Sequence, residues 1–323
     1  MTQKQKKILS YLIKFGVLVL ATVFIYKKLS NNENLKNFVE LINGLQKSAV
    51  VLCLTGVFVL MLLNWFVESV KWQFLVKRVE EISLWRAIES VFCGLTWAVF
   101  TPNRIGEYGG RVFFLSSRKR IKGAVAMSVG HIAQMVLTNI AGAVAIIWFL
   151  YTFQELNGWL LMLTSALGIV FCGFFIVFYF NIHWLSNLVS KIGFLKKFSR
   201  FFDVLESYSK QELFKVMLFS LLRFVVFTSQ YLLIMKLLIP EIAVYECVLL
   251  VFILFFVQSA LPSLDLLDFG VRSMTATYFF SYITHQEIAV MAAASLIWFV
   301  NLIIPAVIGS FFVFKLKFFG NNY

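Results

Sequence analysis

The chain has 323 residues, 60% of them hydrophobic and only 14% charged, with a mean hydropathy of +0.85. Soluble proteins run at about 45–50% apolar and about 25% charged, so this chain lacks the polar side chains to cover a water-facing surface; a soluble enzyme, a secreted disulfide scaffold and a disordered tail are excluded. Its 29 Lys and Arg against 16 Asp and Glu give a net charge of +13, but they fall in short runs at the edges of apolar segments, as cytoplasmic loops do, and form no patch for nucleic acid.

In chain order, Lys4, Lys6 and Lys7 precede an apolar run at 8–26. No small-residue cleavage site follows, and Lys27-Lys28 comes directly after, so the run reads as a retained span and not a signal peptide. A small amphipathic stretch at 31–47 leads to a second span at 48–70, near whose cytoplasmic end Glu68 and Lys71 read as reaching the interface. The segment at 87–101 is short and ends at Pro102; a polar run and a second apolar piece, 108–116, follow. Spans are expected at 122–150, carrying His131, Gln134 and Asn139, and at 158–181. His131 reads as a packed, hydrogen-bonded helix residue.

Residues 183–212 interleave aromatic and aliphatic residues with lysines, as in a helix lying at the interface. The span at 213–239 carries Arg223 too deep for easy snorkelling, which points to pairing with an acid of a hairpin. A second short segment, 245–260, ends near Pro262 and is followed by 269–283; the last span covers 286–314. Gln258 and Asn301 read as residues joining helices by hydrogen bonds. The four cysteines lie inside apolar runs with no C-x-x-C spacing and read as small hydrophobes.

Spans of about 15 residues that stop at a proline and return after a charged break are candidate re-entrant hairpins. The two breaks resemble each other: Glu107-Tyr108-Gly109-Gly110-Arg111 and Asp268-Phe269-Gly270-Val271-Arg272 both fit acidic–aromatic–Gly–x–Arg, each with a proline five or six residues upstream. With the Lys/Arg-rich loops 71–86, 116–122 and 182–212 inside, the count closes on an all-α membrane domain spanning 1–323. It would have six full spans, two hairpins entering from opposite faces, cytoplasmic termini, and half-repeats at about 48–150 and 213–314 in inverted topology. Lys27, Lys28, Lys36 and Lys47, which this arrangement places outside, run against it; eight full spans with parallel repeats is the competing topology.

Arg104, Glu107 and Arg111 sit at i, i+3 and i+7, and Asp265, Asp268 and Arg272 repeat the spacing, so each trio shares a helix face. Ionisable groups at membrane depth face a partner or a watered cavity. A return helix starting near Glu107 or Asp268, with Gly109-Gly110 or Gly270 in its first turn, offers unpaired N–H groups to a phosphate, with Arg104 and Arg111 as its guanidinium partners. The alternative is that Glu107–Arg111 and Asp268–Arg272 merely neutralise each other. No H-E-x-x-H, G-x-S-x-G or P-loop occurs, and the histidines (131, 183, 285) are dispersed, so no metal site, cofactor or catalytic nucleophile is expected.

At Thr101-Pro102-Asn103-Arg104-Ile105-Gly106-Glu107-Tyr108-Gly109-Gly110-Arg111 the sequence resembles the lysylphosphatidylglycerol synthase transmembrane, or flippase-like, family, the membrane part of bacterial multiple peptide resistance factors. The family's second motif corresponds to Pro262 and Gly270-Val271-Arg272, with a Leu/Asp-rich turn and Ser273 where the family has an acid. The resemblance implies movement of a lipid between leaflets of the bacterial cytoplasmic membrane. The cargo would be an anionic or aminoacylated phospholipid or a polyprenyl-linked lipid. The headgroup would be held by Arg104, Arg111 and Arg272, with Glu107 and Asp268 orienting them or receiving a cationic headgroup. The aminoacyltransferase of the resistance factors is a separate soluble domain; this chain, ending at Tyr323, is expected to lack it and not to be an enzyme. A non-transporting partner of an envelope-lipid glycosyltransferase or synthase, docking through 183–212, is the second reading.

Overall fold

The computed structural model describes residues 33–99, 101, 104–192, 196, 199–260 and 265–315, with Leu12 and Val19 as isolated positions; the side chains of 33–35, 265–271 and 315 are not described. The expected span at 8–26, Pro102 and Pro262 therefore lie outside the described residues.

All regular structure among the described residues is helical. A short amphipathic α1 (Glu33–Asn43) precedes α2 (Lys47–Val76), the first long helix. The short pair α3 (Leu84–Ala98) and α4 (Ile105–Val112) follows, then the long α5 (Arg120–Phe153) and α6 (Gly158–Phe180). Short helices α7 (His183–Lys191) and α8 (Ser199–Glu206) lead into α9 (Lys210–Leu238). A second short pair, α10 (Val244–Ala260) and α11 (Asp265–Phe280), precedes α12 (Glu287–Trp298), which passes through a π-helical turn, Phe299–Ile303, into α13 (Ile304–Ser310).

Five of these stretches are long and apolar enough to cross a bilayer: α2, α5 with its preceding turn, α6, α9, and α12 through α13. They coincide with five of the six expected full spans, and the protein is an integral membrane protein. By contrast α3 and α10, with 15 and 17 residues, reach only about 22–26 Å at 1.5 Å per residue, short of the ~30 Å hydrocarbon core.

Local chemistry sets the boundaries. Ser83 caps α3 by accepting from the Arg86 N–H, and Ser209 and Glu212 form a reciprocal capping box that starts α9. Pro305 cannot donate to the carbonyl four residues back, and the π turn lies directly before it.

Two expectations are corrected. Residues 183–212 are not one interfacial helix: α7 ends at Ile192, whose backbone is extended and which precedes Gly193, a poor helix former. The chain then folds back through α8, and the buried Tyr208 donates its hydroxyl to the Leu75 carbonyl of α2 at 2.7 Å. Likewise α1 does not merely lie on a membrane surface, since it packs on α12 with Phe38 in the core.

At the centre stands α12–α13, with 78% of its apolar window buried, whereas α6 buries none of its own and packs mainly on α5. Around the centre α2 packs along α9, α3 along α4 and α13, α10 along α5, and α11 along α12. The close approach of α13 to α3 requires Gly309: a Cβ there would sit 1.9 Å from the Phe92 carbonyl oxygen.

Polar ties mark two levels. At one, Arg78 Nη2 reaches Glu212 Oε1 at 2.5 Å, the Ser116 hydroxyl and N–H donate to Glu80, and Arg86 donates to the Phe114 carbonyl. At the other, Gln286 donates to Glu241 at 2.7 Å and Gln154 Nε2 approaches Tyr282 OH at 3.5 Å. The start of α3 thus lies beside the end of α4, and the start of α10 near the residues that follow α11.

Candidate functional site

The polar heart of the molecule is assembled from three helices. On α2, Asn64, Glu68 and Lys71 fall at i, i+4 and i+7 and share one face; all three are buried. Glu68 is the hub. Its Oε1 accepts from Arg111 Nη1 of α4 at 2.6 Å, while its Oε2 lies 2.8 Å from Lys71 Nζ and accepts from Arg223 Nη1 of α9. Arg223 also donates through Nε to Asn64 Oδ1 at 2.9 Å and stacks its guanidinium 5.2 Å from the Trp65 ring. On α4, Glu107 takes the second arm of Arg111 and lies 3.2 Å from Arg104 Nη2.

The expected common face of Arg104, Glu107 and Arg111 is therefore present, and Glu107 and Arg111 pair within one helix turn. Among the described residues Arg223 pairs with Glu68 of α2. Glu68 and Lys71 do not reach the interface; they are among the most buried polar residues of the chain. Among the described residues four cations meet two carboxylates in these pairs, an excess of two positive charges.

A cavity of about 440 Å³ opens beside the cluster, between α2, α4, α5, α9, α10 and α11. Its charged lining is three arginines, Arg104, Arg223 and Arg272, and one carboxylate, Glu107. An aromatic wall is formed by Trp65, Phe224, Phe227, Tyr231 and Phe255. The rest of the lining is uncharged polar groups: Tyr108, His131, Gln134, Thr138, Gln258 and Ser259. Tyr108 OH and His131 Nδ1 are 2.6 Å apart, so His131 is hydrogen-bonded, as expected, and also faces the cavity. Arg111 does not line it. Its side chain is 1% exposed, enclosed behind Glu68 and Glu107, whereas that of Arg104 is 38% exposed.

Arg104 forms the N-cap of α4 with φ 55° and ψ 26°, the one non-glycine among the described residues with positive φ. That left-handed conformation costs a residue with a Cβ about 1–2 kcal/mol, and residues so held cluster at ligand sites. Helix α4 starts at Ile105, two residues before Glu107.

Gly110 serves packing and not ligand approach: a Cβ on it would lie 2.4 Å from Gly94 Cα, so the pair lets α4 cross α3 backbone to backbone, while Gly109 meets only the Phe113 ring. Asp265, Asp268 and Gly270 occupy the first turns of α11, with their side-chain surroundings outside the described residues. Asn301 donates to the Ile297 carbonyl, four residues back.

Among the described residues no His/Cys/Asp/Glu group is arranged to hold a metal. The residues that sequence reasoning undervalued are Asn64, Glu68 and Lys71; their i, i+4, i+7 spacing inside an apolar run was the available signal. No curated protein and no solved structure matches the chain. The family described as Lysylphosphatidylglycerol synthase TM region matches residues 11–309, and the chain belongs to that family.

Proposed function

We propose that the protein is a lipid translocase of the bacterial cytoplasmic membrane, moving a phosphate-bearing envelope lipid between leaflets without covalent chemistry of its own. The observation that carries the reading is the pair Arg104 and Arg223. Each guanidinium borders the cavity and is held by a buried carboxylate: Arg104 by Glu107, which borders the cavity with it, and Arg223 by Glu68, which does not. These carboxylates offset the cost of burying the arginines and preset their direction. A phosphate entering the cavity would meet oriented donors in a site of lowered dielectric, where charge-assisted hydrogen bonds are strong. The acyl chains would remain in the bilayer beside the aromatic wall.

In this reading α3–α4 and α10–α11 are half-spans that enter from opposite faces, the halves of an inverted repeat. Reciprocal packing supports it: α3 lies on α13 and α10 on α5, so the first helix of each pair packs on the span that follows the other pair. Small residues sit at both crossings, Gly309 against Phe92 and Gly142 against Phe256. Inverted repeats with broken helices place substrate near the midplane in many transporters.

The test is transport of a fluorescent phospholipid in vesicles reconstituted with the purified chain, scored by chemical quenching of the outer leaflet. Wild type is expected to move the lipid and an Arg104→Gln/Arg223→Gln variant to lose that activity. Transport that survives the double substitution, or none by the folded wild type, overturns the assignment and turns attention to the non-transporting partner reading.

A further inference from the structure

Besides its charged and aromatic residues, the cavity is lined by uncharged polar groups. His131, Gln134 and Thr138 fall at i, i+3 and i+7 of α5 and present one face to the cavity, and Gln258 and Ser259 approach it from α10. Two of these side chains hold buried polar atoms with no hydrogen-bond partner among the described residues: Gln134 Oε1, an acceptor, and Gln258 Nε2, a donor. Leaving such groups unpaired is unfavourable, and they belong to different helices that meet at the same cavity. At about 440 Å³ the space lies within the range of roughly 300–1,000 Å³ usual for ligand pockets. A phosphate alone, comparable to two or three waters of about 30 Å³ each, fills a small part of it.

Building on the translocase reading, we infer that the headgroup is a polyol or sugar phosphate: the phosphate lies on Arg104 and Arg223, and uncharged hydroxyls lie between Gln134 and Gln258. A hydroxyl both donates and accepts, so one class of group satisfies the orphaned acceptor and the orphaned donor together. An ammonium, with donors only, satisfies Gln134 but not Gln258, and it enters a cavity bordered by three guanidiniums against one carboxylate, Glu107, which Arg104 and Arg111 already occupy. Sites built to bond a substrate hydroxyl discriminate strongly against analogues that lack it.

The experiment titrates the purified full chain in detergent, by calorimetry, with four short-chain lipids: dihexanoyl phosphatidylinositol, phosphatidylglycerol, phosphatidic acid and lysyl-phosphatidylglycerol. The first two are expected to bind roughly ten-fold or more tightly than phosphatidic acid, as two added neutral hydrogen bonds allow, and lysyl-phosphatidylglycerol more weakly than phosphatidylglycerol. In a Gln134→Leu/Gln258→Leu variant, phosphatidylglycerol should fall to the level of phosphatidic acid while phosphatidic acid itself is unchanged. The ranking in wild type decides the matter if that variant does not fold.

Equal binding of phosphatidic acid and phosphatidylglycerol, or tighter binding of the lysyl lipid, overturns the polyol assignment and leaves the translocase reading standing. Free glycerol 3-phosphate competing as well as phosphatidylglycerol overturns the lipid as the ligand. No binding of any of the four by folded protein overturns both readings.

Discussion

Arg104 and Arg111 sit seven positions apart on one helix face and differ in what surrounds them. Arg111 is sealed between Glu68 and Glu107, so its removal takes one charged donor from each carboxylate, leaving Glu68 with Lys71 and Arg223 and Glu107 with Arg104. A hydrogen bond to a charged group contributes about 1.5–3 kcal/mol; Arg111→Gln, which loses two, is expected to lower thermal stability sharply in a fluorescence melt, and loss of lipid binding would follow from that. Arg104 is partly exposed and held in a left-handed conformation that glycine adopts freely. Arg104→Gly should therefore melt at or slightly above wild type and still lose phosphate affinity. A melt lowered as far as that of Arg111→Gln would contradict the ligand-facing role. The Glu107–Arg111 pair was legible in the sequence because it is local, one helix turn. The other arm of the same arginine meets a residue 43 positions away, and Arg223 meets Glu68 across 155. Spacing on one helix carries no information about such partners, so Glu68 read as a residue reaching for the interface.

The elements hold their places through a few identifiable contacts. Gly110 and Gly94 allow α4 to cross α3, so Gly110→Val forces the two helices apart and displaces Glu107 and Arg111 with them. Overpacking of this kind typically costs 1–3 kcal/mol, and the variant should melt below wild type and transport poorly. At the open end of the same pair, partial burial pushes the Glu80 carboxyl up, but hydrogen bonds from the Ser116 hydroxyl and N–H, with Lys119 and Arg86 nearby, outweigh it and hold the group below its ordinary value. A carboxyl depressed by folding contributes stability above its unfolded pKa, which is lost as pH falls through the folded value. Protection against hydrogen exchange around residues 77–83 and 113–119, corrected for the pH dependence of intrinsic exchange, should therefore fall as the medium is acidified below the ordinary carboxylate range. In Glu80→Gln protection should be low and independent of pH; a wild-type response that persists in that variant would assign it to another group. Hydropathy located the long helices well, since length and apolar content are what crossing a bilayer demands. The bend within 183–212 was not legible, because an amphipathic composition is the same whether one helix or two short ones carry it.

For the whole molecule the decisive question is whether the short pairs turn back or cross. Two sets of ties bear on it: Glu80 with Ser116 and Arg78 with Glu212 at one level, Glu241 with Gln286 and Gln154 with Tyr282 at the other. Arg78 and Glu212 belong to loops rich in Lys and Arg, the cytoplasmic signature, whereas loops 151–157 and 240–246 contain neither. If α3–α4 and α10–α11 both turn back, Ser83 and Ser116 share the cytoplasmic face, and Glu241 and Thr284 share the opposite one. Single cysteines at these four positions, in a chain whose native cysteines are replaced by serine or alanine, should react in two pairs with a membrane-impermeant maleimide. Positions 241 and 284 should label in intact cells, 83 and 116 only after the membrane is opened. Labelling of 83 and 116 from opposite faces, and of 241 and 284 likewise, would establish eight full spans and parallel repeats. That arrangement would also separate the arginines by depth and remove the geometric reason for a single midplane headgroup site. With both pairs returning, Arg104 near the tip of one hairpin and Arg272 in the return helix of the other approach the same cavity from opposite faces of the membrane, as access from either leaflet requires.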